Sequence, residues 1–386
     1  MQNLPRGVVA LGFVSLFMDA SSESIHSLLP LFLTGVLGAS ALEVGLISGF
    51  AEATVSFTKL FSGVVSDWIG RRKPLVLIGY GLAAATKPFF PLAHSVSTVF
   101  IAHVIDRFGK GIRGAPRDAL VADITPPEQR GAAYGLRQGM DTAGAFIGPL
   151  AALLLLAASH NDIRYVFSWA LLPALLAVLT IVLFIREPER KAADGKRGFP
   201  IRREALRRLP RAYWQVVLVA ALLTLARISE SFLILRGQDA GLPLAWTPLV
   251  LIAMNASYAL SSYPLGALAD RMPRARLLML GVVLLIAAQL LLAAGGLATA
   301  FAGIVVWGLH MGATQGLLSA LVADSAPADL RGSAFGMFNL VTGTSALVAG
   351  TTAGIAWTAA GPVAPFLLGA AFSMVTLVLL GAVSRR

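Results

Sequence analysis

Asp19, Glu23 and His26 stand four and three residues apart inside one long apolar run, so two carboxylates and an imidazole share one face of a helix. Ionisable groups in such a run are tolerated only where they meet a partner or water. Two carboxyls held together away from water can share a proton, which makes the trio a candidate proton carrier. The same oxygen and nitrogen atoms also suit a divalent transition metal, so Asp19, Glu23 and His26 are equally a candidate metal or cationic-substrate contact. A hydrogen-bonded core role for His26 is the third option, and the sequence leaves all three open. Far along the chain, Arg227 and Glu230 lie one helical turn apart in another apolar run, where Arg227 would tune Glu230.

A second group of charges falls in the fourth run. Asp106, Lys110, Arg113 and Arg117 are spaced by four, three and four, which places them on one helical face that must look inward, with Arg107 beside them. Arg137 and Asp141, one turn apart in the fifth run, are expected to neutralise each other. Glu52 and Lys59 share a face of the second run and are candidates for binding substrate or a neighbouring helix. Lys87, directly before Pro88, is a kink-associated ion-pair candidate, and His103, Asn255, His310, Gln315 and Asn339 are the remaining polar candidates.

The elements that must carry these groups are membrane helices. Hydrophobic residues make up 56% of the 386-residue chain and charged residues 13%, and mean hydropathy is +0.76; a soluble domain has about a quarter of its residues charged. Runs such as Leu153–Ala157 lack the alternation of a membrane barrel. The apolar runs read as spans near 8–36, 43–66, 74–93, 97–122, 131–157, 165–185, 212–237, 246–268, 277–298, 300–325, 332–357 and 363–384. The first carries three ionisable groups and lacks a small-residue cleavage site, so a retained helix is expected rather than a leader. Arg6, Arg71, Arg72, Lys73, Arg130, Arg271, Arg274, Arg276, Arg331, Arg385 and Arg386 fall on alternate turns and at the termini, which predicts cytoplasmic ends in a bacterial inner membrane. The net charge of +11 is thereby assigned to loops and lipid headgroups, with no nucleic-acid partner expected. There is no cysteine for a disulfide or thiolate metal site.

The chain also repeats itself. Ser62–Leu75 contains Asp67 followed by Arg71, Arg72 and Lys73, and a weaker copy, Gly266–Leu277, contains Asp270 followed by Arg274 and Arg276. Ala122-Asp123 to Arg130-Gly131 returns as Ala323-Asp324 to Arg331-Gly332, and Ser22-Glu23-Ser24 returns as Ser229-Glu230-Ser231. Two parallel six-helix halves follow, with a cavity expected near the midplane. The predicted division is a first bundle over 1–186, a basic cytoplasmic linker over 187–211 and a second bundle over 212–386, with Glu23 and Glu230 facing each other across the cavity.

The loop Gly63-x-x-Ser-Asp67-x-x-Gly70-Arg71-Arg72-Lys73 resembles the signature between the second and third helices of the major facilitator superfamily, with Trp68 where arginine is usual. The resemblance covers essentially the whole chain and implies the all-α, twelve-helix major facilitator fold. It further implies a conformational gate built from Asp67, Arg71, Arg72, Asp123, Asp270 and Asp324, for which Arg113 or Arg117 could supply the partner of Asp67. Arg107-x-x-Lys110-Gly is similar to the fourth-helix motif whose arginine is linked to proton transfer, although Lys110 replaces a glutamine. Gly135, Gly144, Gly148 and Pro149 reproduce the spacing of the antiporter signature, with Ala151-Ala152 in place of its closing glycines.

These resemblances imply a proton-coupled exporter of a small molecule or ion, acting by alternating access as a monomer in the lipid bilayer. No cofactor is expected beyond the proton as coupling ion. A divalent metal or siderophore exporter, an uptake symporter, and a membrane enzyme or non-transporting scaffold are the alternatives. No Gly-x-x-x-x-Gly-Lys-Ser/Thr loop points to ATP drive.

Overall fold

The computed structural model describes residues 4–69, 71–126, 129–187, 206–269, 272–314, 317–327 and 330–384. Among the described residues there are helices and no strand, grouped into twelve stretches of membrane scale. Nine of these are long and apolar enough to cross a bilayer on composition alone. The second, third and fourth stretches fall outside that set. The fourth does so because of the charges just described, and the third because it is short, α3 (Lys73–Thr86) continued by a 3₁₀ turn at Lys87–Phe89.

Local chemistry sets where the helices stop. The first stretch begins as α1 (Arg6–His26), but Ser24 Oγ donates to Ser21 O at 2.8 Å and Ser27 Oγ to Ser24 O at 2.9 Å. Such back-bonding competes with the helical ladder, and beyond it the chain continues as short pieces, Leu29–Leu31 and a π-helical turn at Phe32–Val36. After α2 (Ala41–Ile69) and α3 comes α4 (Val96–Asp123), whose cap Ser95 accepts from Thr98 N at 3.3 Å. The first half is completed by α5 (Arg130–Ala158), α6 (Ile163–Trp169) and α7 (Leu171–Phe184).

The seventh stretch is interrupted as well. The first piece, α8 (Arg211–Ala226), stops, and α9 (Glu230–Asp239) restarts behind Ser229, whose hydroxyl accepts from Ser231 N. The expectation that Arg227 and Glu230 sit one turn apart on a continuous helix is therefore corrected: residues 227–229 form a break between two helices. The remaining helices are α10 (Leu249–Ala269), α11 (Arg274–Ala293), α12 (Leu297–Thr314), α13 (Leu317–Ser325), α14 (Arg331–Ala360) and α15 (Ala364–Ser384).

The helices pack as two units, residues 1–29 with 54–199 and residues 30–53 with 200–386. The predicted boundaries at 186 and 212 did not anticipate that residues 30–53 join the second unit. The physical reason is a glycine crossing between α2 and α14. A Cβ on Gly45 would collide with the carbonyl of Gly350, and one on Gly49 would lie 3.0 Å from Leu347 O, so only glycines let the two backbones touch. Most of the 187–211 linker, residues 188–205, lies outside the described residues.

Within the first unit, Val8, Leu11, Val14 and Met18 of α1 meet Val76 and Tyr80 of α3, Leu120 of α4, and Ala177 and Ile181 of α7. In the second, Tyr213 and Val217 of α8 pack with Val322 and Leu330, and the Tyr213 hydroxyl donates to Ala334 O at 2.8 Å. Between membrane helices this packing acts through van der Waals contact rather than expulsion of water.

The repeat has a structural counterpart at the helix ends. Arg72 Nε lies 3.5 Å from Asp123 Oδ2 in the first unit, and Arg274 pairs with Asp324 at the equivalent place in the second. Arg72, 5% exposed, also donates to Ser66 Oγ at 2.5 Å. Glu187 adds a contact that sequence reasoning missed. Its carboxylate accepts from the backbone amides of Arg72 and Lys73 at 2.6 and 2.7 Å, so it caps the start of α3 where the helix dipole favours negative charge. An acidic residue placed directly after the sixth span was the available signal. Glu187→Ala is expected to lower stability by about 1–2 kcal/mol, read as a lower unfolding midpoint in detergent; an unchanged midpoint would show that the cap contributes nothing.

Candidate functional site

The first unit gathers nearly every ionisable group singled out within the spans, and the helices divide them into two clusters. The upper cluster forms where the end of α1 meets α4 and the 3₁₀ turn after α3. Lys87, 1% exposed, donates to Asp106 Oδ1 at 2.9 Å and to Ser22 Oγ at 3.0 Å. Arg107 holds the other carboxylate oxygen of Asp106 at 3.2 Å and reaches across to His26, where Nη2 contacts Nε2. His26 Nδ1 lies 3.3 Å from Glu23 Oε1. The arginine can only donate, so Nε2 is the accepting nitrogen and Nδ1 carries the proton given to Glu23. Glu23, His26, Arg107, Asp106 and Lys87 thus form a line of alternating charge, closed by His103, whose ring meets His26 edge-on at 5.3 Å.

The arrangement bears on the metal contact that was one of three open readings of Asp19, Glu23 and His26. Asp19, Glu23 and His26 do not converge as a ligand set, because Asp19 is drawn to α5. The groups whose ligand atoms lie within 4.8 Å of one another are His26, His103 and Asp106. Asp106 is already neutralised there by Lys87 and Arg107, and Arg107 also covers His26 Nε2. A divalent cation would have to displace two fixed cations, so the residues present do not fit one.

The lower cluster joins α1, α3, α4 and α5. Asp19 meets α5 at Gly144, one turn from Asp141, and two carboxyls so placed can share a proton. Arg117 Nη1 lies 3.7 Å from Asp141 Oδ1, 3.2 Å from Ser15 Oγ and 3.3 Å from the Tyr80 hydroxyl. Arg137 pairs with Asp141 and Asp118 at 3.7 Å each, so the expected intrahelical pair is present and shares its carboxylate with Arg117. Arg113 stacks its guanidinium 4.2 Å above the Tyr80 ring. Arg113 and Arg117, either of which could partner Asp67, meet Tyr80 of α3, and Arg117 also meets Ser15 of α1. The side chain of Asp67 and residue Asp270 lie outside the described residues.

Glycines bring the carboxylates into place. A Cβ on Gly144 would lie 2.5 Å from Leu16 O and 3.1 Å from Asp19 Cβ, and one on Gly148 would lie 2.7 Å from Ala20 O and 2.9 Å from Glu23 Cβ. The two glycines of α5 therefore seat α1 by its acidic face, with Pro149 next in the helix. Among the described residues nothing lies within 4 Å of the Cβ position of Gly135.

The other candidates lie apart from the two clusters. Lys59 is exposed and its stem passes over Gly114, where a Cβ would lie 3.2 Å from Cε, while Glu52, on the same helix, belongs to the second unit and is exposed. Arg71, Arg227 and Glu230 are exposed as well. His310 stands in the second unit where the repeat places a counterpart of His103; it is fully buried, with Nδ1 2.7 Å from Gly281 O.

Known proteins share this organisation. A family model described as Major Facilitator Superfamily matches residues 10–351 and 238–386. An uncharacterized MFS-type transporter of Methanocaldococcus jannaschii is 30% identical over 98% of this chain and 95% of its own length. Multidrug resistance protein MdtH of Cronobacter sakazakii is 30% identical over 37% of this chain and 33% of its own. Among solved structures, a POT family transporter in complex with a thioalcohol-conjugated peptide superposes with a TM-score of 0.83 at 14% identity, covering 99% of this chain and 96% of that one.

Proposed function

This chain belongs to the major facilitator superfamily, a multi-pass transporter and not an enzyme, and on that premise we propose that it exports a small molecule in exchange for protons. The observation that carries this reading is the seating of Asp19 of α1 against α5 at Gly144, one turn from Asp141, which sets two carboxyls beside Arg117 and Arg137. The pair stores one proton; when the proton leaves, Arg117 and Arg137 beside Asp141 take up the added charge. Exchange follows if proton and substrate compete for this pair while the protein alternates between inward-open and outward-open forms. Glu23, tied to Arg107 through His26, relays the change along α1, and Glu230 is a second carrier in the other half.

The glycine pattern of α5 and the likeness to MdtH support export over uptake. The distribution of basic residues supports cytoplasmic termini in a bacterial inner membrane. The transported molecule is found first by growth rescue of an efflux-deficient host against a panel of toxic compounds, then followed in proteoliposomes with an imposed pH gradient. Wild type drives the compound against the proton flow. Asp19→Asn loses gradient-driven transport but keeps gradient-free exchange; gradient-driven transport at the wild-type rate in this variant would refute the proposal.

A further inference from the structure

The lower cluster has more positive charge and more donors than it uses. Away from the helix ends, Lys87, Arg107, Lys110, Arg113, Arg117 and Arg137 are buried or half-buried in the first unit. The carboxylates facing them are Asp19, Glu23, Asp106, Asp118 and Asp141, five against six cations, and the proton that the proposed exchange places on Asp19 and Asp141 widens the surplus. The upper cluster is balanced, Lys87 and Arg107 against Asp106 and Glu23, so the surplus lies below it. Arg117 and Arg137 are paired there.

Lys110 and Arg113, one turn apart on α4, are the cations left over. Lys110 makes no hydrogen bond or ion pair among the described residues, and it acts on Asp19, Glu23 and Asp141 only at longer range. Arg113 is 4% exposed, its Nη1 has no hydrogen-bond partner among the described residues, and its guanidinium lies over the Tyr80 ring. A buried guanidinium left with a free donor beside an unpaired ammonium is costly within a membrane unless an acceptor-rich ligand completes it.

We propose that Lys110 and Arg113 receive the carboxylate of a zwitterionic small molecule whose ammonium takes the place of the proton on Asp19 and Asp141. This deepens the proton-exchange reading and rests on it. The two sub-sites are adjacent because α1 and α4 pair in opposite directions, Ser15 meeting Arg117 and His26 meeting Arg107, which sets Asp19 and Glu23 between those contacts opposite Arg113 and Lys110. A purely cationic substrate meets a surplus of like charge here, and a purely anionic one satisfies Lys110 and Arg113 but leaves the proton in place. Only a molecule carrying both charges fills the donors and displaces the proton.

The test uses the full-length protein in lipid nanodiscs with three matched probes at constant ionic strength: para-aminomethylbenzoate, benzoate and benzylamine. Binding is read by the shift of the unfolding midpoint, and proton release by an indicator dye in weak buffer. The zwitterion is expected to bind most tightly and to release protons, benzoate to bind more weakly without release, and benzylamine not to bind. Lys110→Gln and Arg113→Gln should each weaken the zwitterion and benzoate by about tenfold, the scale of one charge-assisted hydrogen bond, whereas Arg6→Gln on the exposed end of α1 should not. Asp19→Asn should abolish proton release and leave benzoate binding intact. Benzylamine binding as well as the zwitterion, or no Lys110-dependent binding of either carboxylate, overturns the substrate class and leaves proton exchange standing. Lys110-dependent binding of the zwitterion without proton release overturns the exchange itself.

Discussion

Replacing Asp106 with asparagine should destabilise the protein by about 3–5 kcal/mol, the usual cost of removing one partner from a buried ion pair. Asp106 is 2% exposed and, among the described residues, is the only carboxylate paired with Lys87, which is 1% exposed; it also anchors Arg107. The asparagine keeps the shape but strands two cations inside the helix bundle. Lys87→Met should cost less, because Asp106 retains Arg107. The double variant should recover part of the loss relative to Asp106→Asn, since it removes the stranded ammonium together with its partner. Thermal unfolding in detergent, followed by tryptophan fluorescence, should show the single variant lowering the apparent midpoint by about 5–15 °C. A midpoint within a degree or so of wild type would mean that the cluster is hydrated and its charges screened.

That prediction shows how far the sequence could be read. Spacing along one helix was enough to see that Asp106, Lys110, Arg113 and Arg117 belong together and must face inward, because the angle between residues on a helix is fixed by geometry. It identified Lys87 as an ion-pair candidate without naming its partner. The partner depends on how α4 crosses the turn at Lys87–Phe89, and crossing geometry is set by surfaces contributed from distant parts of the chain. The same limit explains Asp19, which the helical period grouped with Glu23 and His26 but which meets α5 at Gly144, one turn from Asp141. Arg227 and Glu230 show a different limit. Nothing in their spacing reveals that the helix stops at Ala226, because the serines that cap a new helix look like any others in an apolar run. The family resemblance pointed to an expected gate and to the glycine motif in sequence; it did not indicate that Gly144 and Gly148 face α1 while, among the described residues, nothing comes within 4 Å of the Cβ position of Gly135.

Gly148→Val follows from that last point. Its Cβ would lie 2.7 Å from Ala20 O, 2.9 Å from Glu23 Cβ and 2.9 Å from Ser24 N, and two of these three atoms are backbone that no rotamer change can move. Valine adds two further methyls, so α1 must separate from α5 along the stretch that carries Asp19 and Glu23. Overpacking of this kind typically costs about 1–3 kcal/mol, and more where backbone must shift. In a membrane the loss is not offset by solvent, since helix association depends on the close contact that the glycine permits. The separation also pulls Asp19 from Asp141, so proton-coupled transport should be lost even where the variant folds. Gly135→Val is the control, because its Cβ position is open for 4 Å. Expression in membranes, the unfolding midpoint and gradient-driven transport, measured together for the two variants, separate folding from coupling. Equal behaviour of the two in all three measurements would show that close approach at Gly148 does not hold the acidic face of α1 in place.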